Sequence, residues 1–286
     1  MSEITHQTND STDVNQAIYL YSLARPECLA AAIFSQSEDR LPGVDQDFPV
    51  SAIHLDRIGI VAVFSLVNPA DFSESNLQDL AWIGPRARIH ESVVQQVMLT
   101  SPVLPVKFAT IYRSQSGLTN FVNHNGASIL KALHQVHNKA EWTVKAYVDE
   151  AQARLNLTCT NPEIQELTAR ISQSPGLRYM QQKQIDIRIE TALNQWALGV
   201  SQTVEEALTP HAVGMSTLRL HAPAMTGRPE RMIFNGSFLL ENSMVDQFQS
   251  VVDKIQSNAK MSGLIFECRG PWPPYHFCPT LSASTP

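Results

Sequence analysis

The feature of this sequence that most constrains its fold is the order of its apolar runs and helical stripes, which repeats once along the chain. The first half predicts a strand, a short helix, two strands paired as a hairpin, a helix broken at Gly84-Pro85, a strand and a last helix. Their ranges, in chain order, are 17–23, 27–34, 50–55, 58–67, 77–97, 103–111 and 118–136. Pro105 favours an edge position or a bulge for its strand, because proline has no N–H to donate to a neighbour.

The second half predicts the same alternation of strands and helices. Its ranges are 142–148, 161–171, 177–208, 213–221, 231–240, 244–255 and 264–267. The longest of these is a helix, since apolar residues recur in it every three to four positions from Ile185 to Leu208. A strand, helix, strand, strand, helix, strand order is that of the split βαβ, ferredoxin-like unit. The predicted fold class is therefore α+β, with two tandem ferredoxin-like (split βαβ) domains and an extended proline and aromatic C-terminal segment.

The length agrees with this division, since 286 residues at about 150 per domain correspond to two domains. Residues 1–16 are polar and predict a disordered N-terminal tail. We expect the first domain at 17–138, the second at 139–269, and the C-terminal segment with its tail at 270–286.

Charge and composition exclude several classes of function. The net charge of −6 disfavours a general nucleic-acid binder, which needs a basic face. The longest apolar run, 58–67, is about half the ~20 residues of a membrane-spanning helix. The polar N-terminus is not a secretory signal, so we expect a cytoplasmic protein. In a reducing cytosol the scattered cysteines are expected as thiols: Cys28, Cys159, Cys268 and Cys278.

Motifs for phosphate or dinucleotide binding, a nucleophile elbow and an HExxH zinc site are absent from the sequence. His134 and His137 share a helix face, with His124 upstream, but a zinc site needs three or four ligands. We therefore interpret these histidines as surface residues and expect no metal and no cofactor.

Two further pairs of residues are candidate catalytic groups. His90-Glu91 is a possible acid–base pair, although neighbours along a helix do not face each other. Cys268 and His276 are a possible nucleophile and base, but no third group that would orient them is evident.

The C-terminal stretch 270–277, GPWPPYHF, is unusual because prolines and aromatic residues dominate it. Proline lowers the entropy lost when a segment is ordered, and the aromatic side chains bring a large apolar area to bury. Two interpretations remain open: a clamp on its own domain, and a docking surface for a partner.

This stretch, after a strand such as GLIFEC, resembles the C-terminal signature of the gas vesicle GvpL/GvpF family. Other family blocks follow in the expected order: IYLYSL, RARIHESVVQQVM, SPVLPVKFATIYRS, EWTVKAYVD and SPGLRYMQQKQ. The sequence departs from the family where Lys107 and Ala109 stand for a common Arg and Gly, and where His276 replaces a small residue.

The resemblance implies two α+β domains and an accessory protein of gas vesicle formation that is not an enzyme. The implied partners are the small, very hydrophobic shell protein GvpA and other accessory proteins, and the implied location is the gas vesicle and the cytoplasm. The implied role is chaperone, assembly nucleator or minor shell component. The matched blocks place possible partner contacts at Arg88, His90, Leu104, Pro105, Lys107, Phe108, Trp142, Tyr179, Gly270, Pro271, Trp272, Pro273, Pro274, Tyr275 and Phe277.

Other classes of function stay open beside this one. A ferredoxin-like tandem is also compatible with a small-molecule binder or an enzyme with an unrecognised site. A self-assembling scaffold is a third alternative. Within the family interpretation, we expect the first domain to supply the partner contact, because it holds the most characteristic block.

Overall fold

A computed structural model of the chain describes residues 16–26, 41–259 and 263–282. Its contacts form two compact units, one of Met1–Lys139 with Trp272–Pro286 and the other of Ala140–Pro271. The fold is α+β with two antiparallel sheets, as predicted at that level. The predicted domain bounds stay a prediction. The short helix at 27–34, most of the polar tail and Cys28 lie outside the described residues.

The sheet of the first unit is built around one buried strand. Its strands are β1 Ala17–Ala24, β2 Ser51–Leu55, β3 Ile60–Val67, β4 Val103–Pro105 and β5 Ile111–Tyr112. They follow the order β2-β3-β1-β4, and β5 also pairs with β1. The predicted strand at 17–23, the antiparallel hairpin and the edge position of Pro105 are confirmed.

A register shift in β1 decides which of its side chains face which helix. The pairing with β3 shifts between Leu20 and Ser22. Because side chains alternate along a strand, one extra residue reverses the alternation beyond it. Leu20 and Leu23, three positions apart, therefore pack on one face, and Ala24 packs with Tyr19 and Tyr21 on the other.

In the described part of this unit, two α-helices cover these two faces. α1, Leu80–Met98, packs Val93, Val94 and Val97 on the tyrosine face. α2, Gln115–Gln135, packs residues such as Leu118 and Leu133 on the other. The side chains of Asp79 and Ser114 cap their first turns by accepting backbone N–H bonds.

Two predictions for this unit were wrong. α1 is one helix that contains Pro85, although the sequence predicts a break there. Proline removes the bond to the Ala81 carbonyl, but both residues are exposed near the helix start, so water can solvate that carbonyl. The predicted strand at 103–111 is two short strands, because a turn with Ala109 at φ 63° separates them.

The second unit repeats the strand order with more helix. Its strands are β6 Lys139–Val148, β7 Gly214–Thr217, β8 Arg231–Glu241 and β9 Leu264–Trp272, in the order β7-β8-β6-β9. Its helices are α3 Glu150–Thr160, α4 Pro162–Ala169, α5 Pro175–Leu208, α6 Pro223–Thr226 and α7 Val245–Ala259. The core joins Val144, Leu193, Phe238 and Phe248.

The predicted helices at 161–171, 177–208 and 244–255 and the strands at 142–148 and 231–240 are confirmed. α3, which begins after an Asp149 cap, was not predicted from the sequence. β7 is shorter than the predicted strand at 213–221, and β9 is longer than the predicted strand at 264–267. β9 runs through Gly270 to Trp272, because Gly270 lies against Trp142 of the same unit: an added Cβ would be 2.6 Å from the Trp142 Cδ2 atom.

Candidate functional site: a groove in the first unit

A groove of about 800 Å³ lies entirely within the first unit. Its lining is mostly apolar and consists of Leu23, Leu104, Pro105, Val106, Lys107, Thr110, Tyr112, Gly117, Asn120, Phe121, Tyr275, Cys278, Pro279, Thr280 and Leu281. We call residues 104–110 the strand wall and residues 275–282 the tail wall. The start of α2 lies with them as the third part of the lining.

The strand wall is held by a buried polar network. His90 lies on α1, is 3% exposed, and its Nε2 atom is 3.2 Å from the Val106 carbonyl oxygen. Because a carbonyl only accepts, Nε2 carries the hydrogen and Nδ1 accepts from the Tyr19 hydroxyl at 2.9 Å. The same hydroxyl accepts the Ala109 N–H at 3.2 Å. Tyr19 and His90 thus connect the strand wall to the core through hydrogen bonds to Ala109 and Val106.

The protonation states of this network follow from burial. Burial lowers the pKa of His90 to about 4, against the raising effect of its bond to Val106, so the ring is neutral at physiological pH. Burial also raises the pKa of Tyr19, so its hydroxyl stays a donor. Phe108 packs against both rings, with centroids 6.1 Å from Tyr19 and 6.0 Å from His90.

The tail wall is fastened at two separated points. The Tyr275 hydroxyl donates to Glu91 of α1 at 3.0 Å. At the other end, the Asn125 amide donates to the Ser282 carbonyl at 3.0 Å and accepts the Ser282 N–H at 3.1 Å. Between them, Cys278 Sγ lies 3.6 Å from the Pro105 carbonyl oxygen of the strand wall.

The sequence predicts an extended C-terminal segment, but the tail wall is not wholly extended. Tyr275–Phe277 forms one turn of 3-10 helix, with the Tyr275 and Phe277 N–H groups donating to the carbonyls of Pro273 and Pro274. Pro273 and Pro274 are buried. Residues 275–282 therefore pack against α1, α2 and the strand wall of the first unit.

Lys107 supplies the only charge among the lining residues that the structure describes. Its side chain is exposed, and in the described part of the chain it takes part in no ion pair. The polar lining residues Asn120 and Thr280 are also exposed. The groove thus offers a large apolar surface, one cation and a few groups that can form hydrogen bonds.

The structure brings some of the predicted contact residues together and separates others. Leu104, Pro105, Lys107 and Tyr275 line the groove, and His90 and Phe108 support it from behind. Arg88 lines a separate cavity of about 310 Å³ beside Pro85 and Ile89. The remaining predicted residues lie outside the groove lining: Trp142, Tyr179, Gly270, Pro271, Trp272, Pro273, Pro274 and Phe277. The predicted role of these residues stays a prediction.

Two of these residues have contrasting surroundings. Trp142 is 8% exposed and packs in the core of the second unit. Tyr179 is 61% exposed near the start of α5, and Lys183 Nζ lies 5.0 Å above its ring.

His90 and Glu91, the possible acid–base pair, have separate hydrogen-bond partners. His90 bonds to Tyr19 and Val106, whereas Glu91 bonds to Tyr275 and Gln95. Cys268 lies in the second unit and His276 in the first. Burial raises the pKa of Cys268 to about 11, which keeps it a neutral thiol and a poor nucleophile.

The histidines considered as metal ligands, His124, His134 and His137, are all exposed. The described residues hold no group of three or more side chains arranged to bind a metal ion. Among the same residues, no helix has the length and apolar character needed to cross a membrane. Cys159, Cys268 and Cys278 are not joined in disulfides.

Asn125, which anchors the tail wall, is not among the site residues predicted from the sequence. Asn125 is 7% exposed and lies four residues after Phe121 and four before Ile129, within the apolar stripe of α2. A polar residue inside an apolar stripe was the available signal, because a buried amide requires hydrogen-bond partners.

Comparisons with known families and sequences agree with one another. A family model described as gas vesicle synthesis protein GvpL/GvpF matches residues 17–279. Gas vesicle protein L of Streptomyces sp. (strain CB03234) is 26% identical over 222 residues, which cover 76% of this chain and 79% of that protein. Gas vesicle protein L1 of Halobacterium salinarum is 21% identical over 279 residues, covering 96% of this chain and 94% of its own.

Solved structures show the same fold. The crystal structure of GvpF from Anabaena sp. PCC7120 has a TM-score of 0.70 at 18% identity and covers 93% of this chain and 100% of its own. The GvpF structure from Microcystis aeruginosa has a TM-score of 0.62 at 16% identity, covering 92% of this chain and 99% of its own.

Proposed function

The chain belongs to the GvpL/GvpF family of gas vesicle synthesis proteins and is involved in gas vesicle formation, and from that premise we propose that it binds the hydrophobic shell protein GvpA. In this proposal it keeps the shell subunit soluble or positions it for assembly, as a chaperone or nucleator. Its proposed location is the cytoplasm and the gas vesicle, and other accessory proteins are further proposed partners.

The observation that supports this proposal is the groove, because the most characteristic family block forms one of its walls. A small shell subunit with a large apolar surface aggregates unless that surface is covered. A concave surface with mostly apolar walls is suited to cover part of it. Leu104, Pro105, Lys107 and Tyr275 would supply the contact, whereas Trp142 and Gly270 would act only through the packing of the second unit.

We also propose that both units are ferredoxin-like domains. The supporting observation is that each sheet has the same order, with its first strand between its third and fourth. In this proposal, α2 and the tail wall are additions to the first domain. A truncation at residue 138 would therefore remove the tail wall, which supplies a third of the described lining residues, so binding tests require the full chain.

The test is co-expression of the full chain with GvpA. We expect GvpA to remain in the soluble fraction and to co-purify with the tagged chain. A matched culture that expresses GvpA with an unrelated soluble protein of similar size is the control. If GvpA sediments equally in both cultures and none co-purifies, the proposal that this chain binds GvpA is wrong.

A further inference from the structure

We infer that the groove binds a short apolar peptide segment of a partner protein that carries an acidic side chain next to its apolar residues. This inference rests on the proposed function, since it assumes that the groove is a partner site. It adds the chemistry of the segment that is bound, and the residue that selects it.

The apolar part of the inference follows from the lining. Leu104, Tyr112, Phe121 and Leu281 present aliphatic and aromatic surface. The volume of about 800 Å³ lies within the range of about 300–1,000 Å³ that is usual for specific binding clefts. Burial of two or three aliphatic side chains of a partner in this space would supply most of the affinity.

The acidic part follows from Lys107. Among the described residues of the lining it is the only charged one, and no carboxylate of the described chain forms an ion pair with it. A partner that covers the groove would partly remove this ammonium group from water, which weakens binding unless an opposite charge faces it. A basic segment would instead meet a like charge, so Lys107 discriminates between segments of similar hydrophobicity.

A peptide fits better than an alkyl acid because the lining is not uniformly apolar. Asn120 offers a donor and an acceptor, and the Thr280 hydroxyl offers both as well. These groups suit the N–H and C=O groups of a peptide backbone. An alkyl chain would bury them without any hydrogen bond.

The experiment uses two short peptides that differ in one residue, Gly-Leu-Val-Leu-Glu-Gly and Gly-Leu-Val-Leu-Lys-Gly. Both are amidated at the C-terminus and carry an uncharged nitrobenzoxadiazole label, so that the test residue sets the charge. Binding to the full-length protein is measured by fluorescence anisotropy. We expect the acidic peptide to bind about fivefold more tightly, which is the size of a partly exposed ion pair.

The variant Lys107→Glu should reverse this preference, whereas Lys131→Glu should retain it, because Lys131 is exposed on α2 outside the lining. Added salt should reduce the preference in the wild-type protein. Circular dichroism of both variants checks that the fold is intact.

Three results would overturn the inference: neither peptide binds, the preference is the same in Lys107→Glu, or dodecanoate binds while both peptides do not. The last result would assign the groove to alkyl acids. These outcomes are separate from the proposed function, which is judged by GvpA solubility. If GvpA stays soluble and the peptides fail, only the inference is wrong; if the peptides bind and GvpA sediments, the proposed partner is wrong.

Discussion

The strand wall and the tail wall face the same groove but are held by different kinds of contact. The strand wall depends on Tyr19 and His90, which are 0% and 3% exposed and bond only to groups inside the unit. The tail wall depends on the bonds of Tyr275 to Glu91 and of Ser282 to the buried Asn125, and in each of these bonds one partner, Glu91 or Ser282, reaches solvent. Buried polar contacts are costly to break, because the freed groups cannot bond to water. We therefore expect the strand wall to be the more rigid of the two and the tail wall to open more readily.

The largest expected effect is a loss of stability at acidic pH that acts through the strand wall. Burial lowers the pKa of His90 from 6.5 to about 4. Between these values the unfolded chain takes up a proton that the folded chain does not, so the contribution to stability is complete above pH 6.5 and decreases toward pH 4. The loss in unfolding free energy is at most about 3 kcal/mol from this group.

Urea unfolding at several pH values between 7 and 4 measures this effect. The variant His90→Gln should show a shallower pH dependence than the wild type, and His134→Gln, an exposed control on α2, should match the wild type. Equal pH dependence in all three proteins would mean that His90 is not the group responsible.

The next largest effect is expected from replacing a tyrosine by phenylalanine in the contacts of each wall. Tyr19→Phe leaves the Ala109 N–H and the His90 Nδ1 atom without a partner and should cost about 2 kcal/mol of unfolding free energy. Tyr275→Phe should cost about 1 kcal/mol, because Glu91 can bond to water instead. Tyr112→Phe is the control, since no hydrogen bond to that hydroxyl is present in the described residues. A larger loss of unfolding free energy in Tyr275→Phe than in Tyr19→Phe would contradict the conclusion that the strand wall is held more firmly.

A third prediction isolates the tail wall. Asn125→Ala removes both bonds to Ser282, and we expect hydrogen exchange of the Ser282 amide to become about tenfold faster. Exchange at Val106, whose N–H donates to the Tyr21 carbonyl at 3.0 Å, should stay unchanged. Asn123→Ala on the exposed side of α2 is the matched control. Faster exchange at both walls would show that they open together.

The smallest expected effect is stabilising and concerns the strand wall. Ala109 has φ 63°, in the left-handed region that favours glycine. Ala109→Gly should raise the unfolding free energy by about 0.5–1 kcal/mol, because relief of backbone strain exceeds the added entropy of the unfolded chain. Ala127→Gly, in the exposed middle of α2, should instead lower it by about 1 kcal/mol. Thermal unfolding of both variants shows whether each substitution raises or lowers the unfolding free energy.

These local rules also explain which parts of the fold the sequence could predict. β1 and β3 are continuous apolar runs, and α2 and α5 carry apolar residues at helical spacing. These patterns can be recognised from the sequence alone, so these elements could be predicted. Pro85 was misjudged because its effect depends on exposure of the Ala81 carbonyl, which local sequence does not report. α3 was missed because its only fully buried residue is Ala153, which leaves little stripe to detect.

The groove was harder to predict, because its walls are far apart in the sequence. The resemblance to a family identified Leu104, Lys107 and Tyr275, but not that they meet. Ser282 bonds to Asn125 across 157 residues, a contact that no periodicity records. The same resemblance grouped Trp142 with these residues, although Trp142 is a core residue of the second unit.

The central claim is that this groove is where the chain binds GvpA, and a filled groove tests it most directly. Asn120→Trp places an indole in the groove, whereas Asn123→Trp places the same side chain on the exposed surface of the same helix, outside the lining. The measurement is the amount of GvpA that co-purifies with each full-length variant at equal expression. The account predicts a loss of about tenfold for Asn120→Trp, equal to about 1.4 kcal/mol, and wild-type capture for Asn123→Trp. Equal capture by both variants would contradict it.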